Sequence, residues 1–483
     1  MPHYLKKKLR RRAYWALGGV ICAFAAILLV RSGWHRRHLG GNLAGGVRLD
    51  IDERRLSNGL KVYFVENSTT PVVSFQTWVR AGSVDEPTGK TGMAHMFEHL
   101  MFKGTSKYPE KEFFNRLEAK GAEVNAYTVR DYTVFYENMT PDLLPIAIDM
   151  EADRLAHLKV SQELLDTERL VVLEERRLRT DNAPAGRMNE DLWKLAFRAH
   201  PYHWPVIGEP VDLMHLQASD LQAFFDEYYQ PGNVALVVVG AFDKDKTYDL
   251  IQKAYGVIPG RPRKTRKVPE EPVQLSEQRY VIHDTVASER FLHGYHVTQA
   301  SDPDSYALDV LAQIAFAGTS SRAYRSLVED KQTALGVSGS AYTPTFPGLF
   351  VISVTMLNGH PASDGEEALD AVLDRIKDEG VTQEEVQAAV KQLTVNLLDD
   401  VRTPHGMGEL IGTVVMVLGD ASQATRDLEK YQRVTREDVK RVAIKYLNPN
   451  NRSVVTLTPG PAPATEHPPE QAHGHDLREG DGT

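Results

Sequence analysis

The chain has 483 residues, of which 42% are hydrophobic and 25% charged, enough for two or three ordinary globular domains. Its net charge of −9 argues against a nucleic-acid partner, which requires a basic face. The single cysteine, Cys22, excludes an intrachain disulfide framework and a cysteine-based zinc site.

Residues 1–12 carry Lys6, Lys7, Lys8, Arg10, Arg11 and Arg12, and residues 13–30 then run without a charge. As a helix this stretch would reach about 27 Å, just enough to cross a bilayer. The basic cluster should stay cytoplasmic and send the rest of the chain outward, so a membrane anchor is expected within residues 1–34. A cleaved signal peptide is the alternative, although no small-x-small site follows Val30 and Ile21 before Cys22 does not fit a lipoprotein signal. The Gly-rich residues 35–47 read as a tether.

Asn58-Gly59 predicts a hairpin turn leading into a strand on which Leu60, Val62 and Phe64 alternate. A second strand is expected over 72–79, broken at Gly82-Ser83. The stretch Gly92-Met93-Ala94-His95-Met96-Phe97-Glu98-His99-Leu100-Met101-Phe102 then reads as a helix, with Thr91 as its N-cap and Gly104 as its C-terminal glycine cap. Met93, Met96, Phe97 and Leu100 form an apolar stripe at helical spacing. His95, Glu98 and His99 fall together on another face, because residues three and four apart are neighbours. Two imidazoles one turn apart can grip one zinc ion, and the carboxylate between them can take a proton from zinc-bound water. The pattern is His-x-x-Glu-His, the inverse of the commoner order.

A helix opened by Pro109 should end near Gly121. Residues 124–135 predict a strand pair. Asn125-Ala126-Tyr127-Thr128 reads either as an ordinary edge strand or as an edge that accepts a peptide as an extra strand. A long helix is expected from Thr140-Pro141 to about Leu158. Ser161 should cap another, running from Gln162 to about Arg179. On it Glu168 and Glu175 lie two turns apart on nearly one face, whereas Glu174 points about 100° away. If a carboxylate here completes a metal site, Glu175 is the better candidate, with Glu168 one layer back; a solvated acidic face is the alternative.

These elements, His95-Met96-Phe97-Glu98-His99, Asn125-Ala126-Tyr127-Thr128 and Glu168 to Glu175, occur in an order that resembles the M16 zinc peptidases, the pitrilysin and insulinase-like inverzincins. The resemblance implies one Zn2+ per chain, ligated by His95, His99 and Glu175. It makes Glu98 the general base, Glu168 a supporting catalytic carboxylate, and Asn125, Ala126 and Tyr127 the strand that holds substrate backbone. It also implies an α+β fold of two similar α/β sandwich domains, the M16/LuxS-like metallohydrolase fold, forming half of a clamshell that encloses peptides or unfolded segments. The expected activity is that of a zinc metalloendopeptidase held by its N-terminal helix in the inner membrane with its domains in the periplasm. A non-catalytic scaffold or peptide-binding subunit is the alternative.

Tyr228-Tyr229-Gln230-Pro231-Gly232-Asn233 before one apolar strand parallels Tyr446-Leu447-Asn448-Pro449-Asn450-Asn451 before another, which points to an internal repeat. Within it the counterpart of the histidine helix is expected over 306–319, with Asp309, Ala312 and Gln313 opposite His95, Glu98 and His99. The expected layout is a metal-bearing domain over 48–257, a linker over 258–276, a metal-free domain over 277–460 and a disordered tail over 461–483. Many M16 enzymes reach the substrate carbonyl with an Arg and a Tyr from the second domain. Here Val328 and Val337 align with them, leaving Arg322, Tyr324, Arg325 or Tyr342 as substitutes. The other explanation is a second M16 subunit that supplies both groups to a heterodimer.

Overall fold

Asn58 and Gly59 form the predicted turn: Gly59 takes φ 97°, and the Leu56 N–H donates to the Leu60 carbonyl at 2.9 Å. This joins β1 (Asp52–Arg55) to β2 (Lys61–Glu66). The computed structural model describes residues 49–263, 265–424 and 427–461. The expected membrane helix, the tether and nearly all of the tail lie outside the described residues. Among the described residues no helix is long and apolar enough to cross a membrane.

The first sheet adds β3 (Val73–Val79), β4 (Glu123–Thr128), β5 (Thr133–Met139) and β6 (Val234–Gly240), in the order β1-β2-β6-β3-β5-β4. Only β2 and β6 run parallel; the other neighbours are antiparallel. Its helices are α1 (Met93–Leu100), α2 (Glu110–Leu117), α3 (Leu144–His157), α4 (Gln162–Arg176), α5 (Pro184–Ala196), α6 (Ala218–Tyr228) and α7 (Lys244–Tyr255). The second sheet comprises β7 (Gln278–Asp284), β8 (Arg290–His296), β9 (Ala334–Tyr342), β10 (Leu349–Met356) and β11 (Arg452–Pro459), in the order β7-β11-β8-β10-β9. With it come α8 (Asp304–Phe316), α9 (Ala362–Glu379), α10 (Gln383–Asp400), α11 (Pro404–Leu418) and α12 (Arg436–Tyr446).

The two sheets share one strand order. Without β1 the first reads β2-β6-β3-β5-β4, and its parallel pair β2/β6 matches β7/β11 in the second. The repeat extends to side chains. Asn233 donates to the carbonyls of Tyr228 and Arg80, and Asn451 donates likewise to those of Tyr446 and His296. Each asparagine ties a helix end to the strand beside it. The counterpart of the histidine helix runs Asp304–Phe316 rather than over the expected 306–319, with the Asp309 carboxylate accepting from the Tyr431 hydroxyl at 2.7 Å.

One face of the first sheet, with Val62, Phe64, Phe75, Phe135 and Val238, packs on its own helices. The other face, with Tyr63, Trp78, Val134 and Val237, is covered by Leu410, Ile411 and Val414 of α11, from the second half of the chain. The exchange is reciprocal. Met188, Leu192 and Trp193 of α5, from the first half, pack against Ile282, Leu349, Val351, Val455 and Leu457 of the second sheet. This is why β6 is apolar without alternation and buried throughout: both of its faces are covered. At Gly412 a Cβ would lie 1.9 Å from the Trp78 ring, so only glycine lets α11 approach this closely.

Among its described residues the expected linker carries no regular secondary structure over 259–276, but it is fastened at several points. Arg266 pairs with both carboxylate oxygens of Asp85 at 2.7 and 2.6 Å. Glu271 accepts from the backbone N–H groups of Arg198, Ala199 and His200 at 2.8–2.9 Å.

Candidate metal centre and its surroundings

The histidine helix α1 starts differently from expectation. Its N-cap is Gly92, left-handed at φ 91°, and the Thr91 hydroxyl instead donates to Asp212 at 2.7 Å. The buried Glu86 carboxylate satisfies the helix start by accepting from Gly92 N–H and Ala94 N–H, both at 2.8 Å. Gly104, at φ 83°, ends the turn beyond the helix as expected. Met93, Met96, Phe97 and Leu100 are buried, and Phe97 stacks on Phe224 and Phe225. That packing fixes the opposite face of α1 and aims His95, Glu98 and His99 at α4.

Ser161 caps α4 by accepting from Leu164 N–H at 3.2 Å, as its position predicts. The α-helix stops at Arg176, and residues Arg177–Asp181 continue as a π-turn rather than as α-helix to Arg179. Glu174 points outward to Arg177 at 3.2 Å, whereas Glu168 and Glu175 face α1.

His95, His99 and Glu175 are the one group of three potential ligands that converges among the described residues, each offering a donor atom within 4.8 Å of the others. His99 Nε2 lies 3.2 Å from Glu175 Oε2, and His95 Nε2 lies 3.9 Å from Glu175 Oε1. A tetrahedral zinc with bonds near 2.0–2.1 Å would set its donors about 3.4 Å apart, so the two nitrogens and one oxygen fit the ion in number, type and spacing. The electrostatics agree. Burial alone would push His99 down, but hydrogen bonds to Glu168 and Glu175 outweigh it and raise the ring to about 9. The same negative field that holds a proton there favours a cation. Although burial opposes ionisation, His99, His95 and Arg179 hold Glu175 well below the usual carboxylate range.

Glu98 lies beside this group, its Oε2 3.9 Å from His95 Nε2, and accepts from the Thr128 hydroxyl at 2.9 Å. Burial, with Glu175 adding to it, raises its carboxyl to about 7. Glu168 stands behind, 3.5 Å from His99 Nδ1 and 2.6 Å from Lys103 Nζ. A carboxylate at Nδ1 leaves Nε2 as the lone-pair nitrogen turned toward the converging group.

β4 is an edge strand: it pairs with β5 on one side and has no strand on the other among the described residues. Its last residue, Thr128, touches Glu98, so the open edge begins at the site. Of the three expected substrate residues, Ala126 and Tyr127 turn their side chains inward. Asn125 accepts from the Ala126 N–H at 2.9 Å, and Ala126 is buried in the core. Tyr127 packs edge-on to Trp78 and donates its hydroxyl to Glu409 of α11. What this strand offers at its edge is backbone.

Glu409 has a consequence for stability. Burial pushes its carboxyl from the usual 4.5 up to about 7, against the lowering effect of the Tyr127 hydroxyl; His405 Nε2, at 3.8 Å, faces its other oxygen. The folded protein thus holds this proton more tightly than the unfolded chain. Stability from this group is complete below about pH 4.5 and falls by about 3 kcal/mol as pH rises through 7. Glu409→Gln is expected to cancel that slope, so that the variant gains on the parent between pH 4.5 and 7.5 in denaturation midpoints. A parent-to-variant difference that stays flat with pH would contradict it.

Two of the four possible substitutes for the missing Arg and Tyr, Arg322 and Tyr342, are engaged elsewhere. Arg322 forks onto Glu385 at 2.7 Å through two nitrogens, and Tyr342 packs against Trp193 between the halves. Val328 and Val337 pack on the second core.

Comparison with known proteins agrees with this geometry. The family model described as Insulinase (Peptidase family M16) matches residues 61–209, and that described as Peptidase M16 inactive domain matches residues 215–393. The second match begins inside the first domain, since β6 lies in the first sheet. A protein named zinc protease PqqE, from Helicobacter pylori, is 28% identical over 411 residues, 84% of this chain and 92% of that protein. The mitochondrial-processing peptidase subunit beta of Lentinula edodes is 25% identical over 413 residues, 81% of this chain and 86% of that one. The crystal structure of a protease from Helicobacter pylori superposes with a TM-score of 0.81 at 27% identity, covering 86% of this chain and 100% of that one. With two matched models spanning more than half its length and one fold throughout, the chain belongs to peptidase family M16.

Proposed function

We propose that this protein is a zinc-dependent endopeptidase acting on peptides or unfolded segments. The observation that carries the reading is the convergence of His95, His99 and Glu175 with Glu98 beside them. Zinc held by the three would acidify a bound water and polarise the scissile carbonyl. Glu98, outside the ligand group, takes the proton of the attacking water and returns it to the leaving amine. Thr128 holds the Glu98 carboxylate in place, and the free edge of β4 can pair with substrate backbone.

The valines at 328 and 337 support a catalytic subunit that works beside a second M16 chain carrying the Arg and Tyr; losing such donors costs about 10²–10³ in rate. The uncharged residues 13–30 behind a basic cluster support a single-pass inner-membrane anchor, with both domains in the periplasm.

The full chain is expected to purify with about one zinc and to cleave an unstructured fluorogenic peptide slowly. Cleavage should rise about 10²–10³-fold with the partner chain, vanish on chelation and return with zinc. A metal-free preparation that cleaves at an undiminished rate would end the zinc-dependent reading, and a zinc-loaded one that cleaves no peptide with or without the partner would end the hydrolase reading.

A further inference from the structure

Arg179 holds a place that neither the motif nor the ligand set accounts for. Where α4 gives way to the π-turn Arg177–Asp181, three arginines diverge. Arg176 turns inward, with Nη1 and Nη2 on the Glu190 carboxylate at 2.9 and 2.8 Å and Nη1 also on the Gly208 carbonyl at 2.9 Å. Arg177 turns outward to Glu174. Arg179 reaches back one turn, its Nη1 2.5 Å from Glu175 Oε1. The other oxygen, Oε2, lies 3.2 Å from His99 Nε2. The two oxygens of Glu175 are therefore divided: Oε2 faces His99, whereas Oε1 is held at the guanidinium and lies 3.9 Å from His95 Nε2.

The backbone that carries Arg179 is held from two sides. Arg176 pins the helix end, and Gly186 of α5 presses on the turn so closely that a Cβ there would lie 2.1 Å from the Arg179 carbonyl oxygen and 2.9 Å from Thr180 Cα. Single π-turns inside helices recur at functional sites because they re-aim side chains without ending the helix.

We propose that Arg179 is a positioning residue for the metal centre: it holds Glu175 Oε1 so that Oε2 alone is presented to the cation. This rests on the reading of His95, His99 and Glu175 as ligands. A guanidinium near a dication also repels it, and the two effects oppose each other. Exposure decides between them. The Arg179 side chain is 47% exposed, so solvent screens its repulsion, whereas Glu175 is 16% exposed and has little water to replace the lost donor.

The test is zinc affinity of the full chain, read by competition with a chromogenic chelator, with cobalt absorption as a second readout. Arg179→Ala is expected to weaken zinc binding about 10–100-fold and to alter the cobalt spectrum. Arg179→Lys should restore part of the affinity. Glu175→Ala serves as the control for the ligand set and should lose more than either. Arg179→Ala with parental or tighter affinity and a parental cobalt spectrum overturns the role of Arg179 while leaving the metal reading intact. A parent chain that takes up no zinc, or a Glu175→Ala variant that binds it as tightly as the parent, overturns both.

Discussion

Glu98→Gln is expected to lower kcat about 10²–10⁴-fold, about 3–5 kcal/mol in barrier height, with zinc content unchanged. Glutamine matches glutamate in shape, so its oxygen can still accept from the Thr128 hydroxyl. It cannot take a proton from water. Because Glu98 stands outside the three converging donors, the metal should remain, and KM for an unstructured peptide should move only a few-fold. The measurement is steady-state cleavage by the parent and variant, each with its zinc determined. A variant that keeps more than a tenth of parental kcat would remove Glu98 from the role of general base, and a variant that arrives without zinc would place it among the ligands.

The second large effect is on folding. Arg154 of α3 is buried with two carboxylates, 2.6 Å from Glu151 and 3.8 Å from Glu137, with Thr77 donating to Glu151 at 3.0 Å. Its guanidinium also lies over the Phe135 ring at 4.4 Å. Burial, reinforced by Glu151, holds the Glu137 carboxyl well above its usual range, and Arg154 is what offsets that. Arg154→Met keeps most of the volume and removes the only cation of the trio. It should destabilise the protein by about 3–5 kcal/mol, since Glu151 is left in a dry site without its cation. Urea unfolding with an unchanged m-value would measure it. A loss below about 1 kcal/mol would mean that the two glutamates already share protons and carry little charge.

The histidine helix, the glutamate helix and the strand between them were legible because each is governed by local rules: helical spacing, a serine cap and strand alternation. The repeat was legible at Pro231 and Pro449 because the turn chemistry there is the same. What was not legible acts over long sequence distances. The cap of α1 comes from Glu86, and a left-handed Gly92 leaves Thr91 free for Asp212. The α4 helix is shorter than its spacing predicts because it passes into a π-turn, against which Gly186 of a later helix packs, and an unremarkable glycine there gives no sign of this. Tyr127 lies on the expected substrate strand, and its ring turns to the face covered by α11, a placement that depends on a helix 282 residues away. Neither the amphipathic α5 nor the apolar α11 shows in its sequence which sheet it covers; only the packing settles that.

That packing bears on how the chain is made. N-terminal domains usually fold first as they leave the ribosome. Here the first sheet emerges complete with β6, at Gly240, yet one of its two faces stays open until the helix at Pro404–Leu418 has been synthesised. The half that carries the histidine helix must therefore wait, partly exposed, for the second half, and the two finish as a single event.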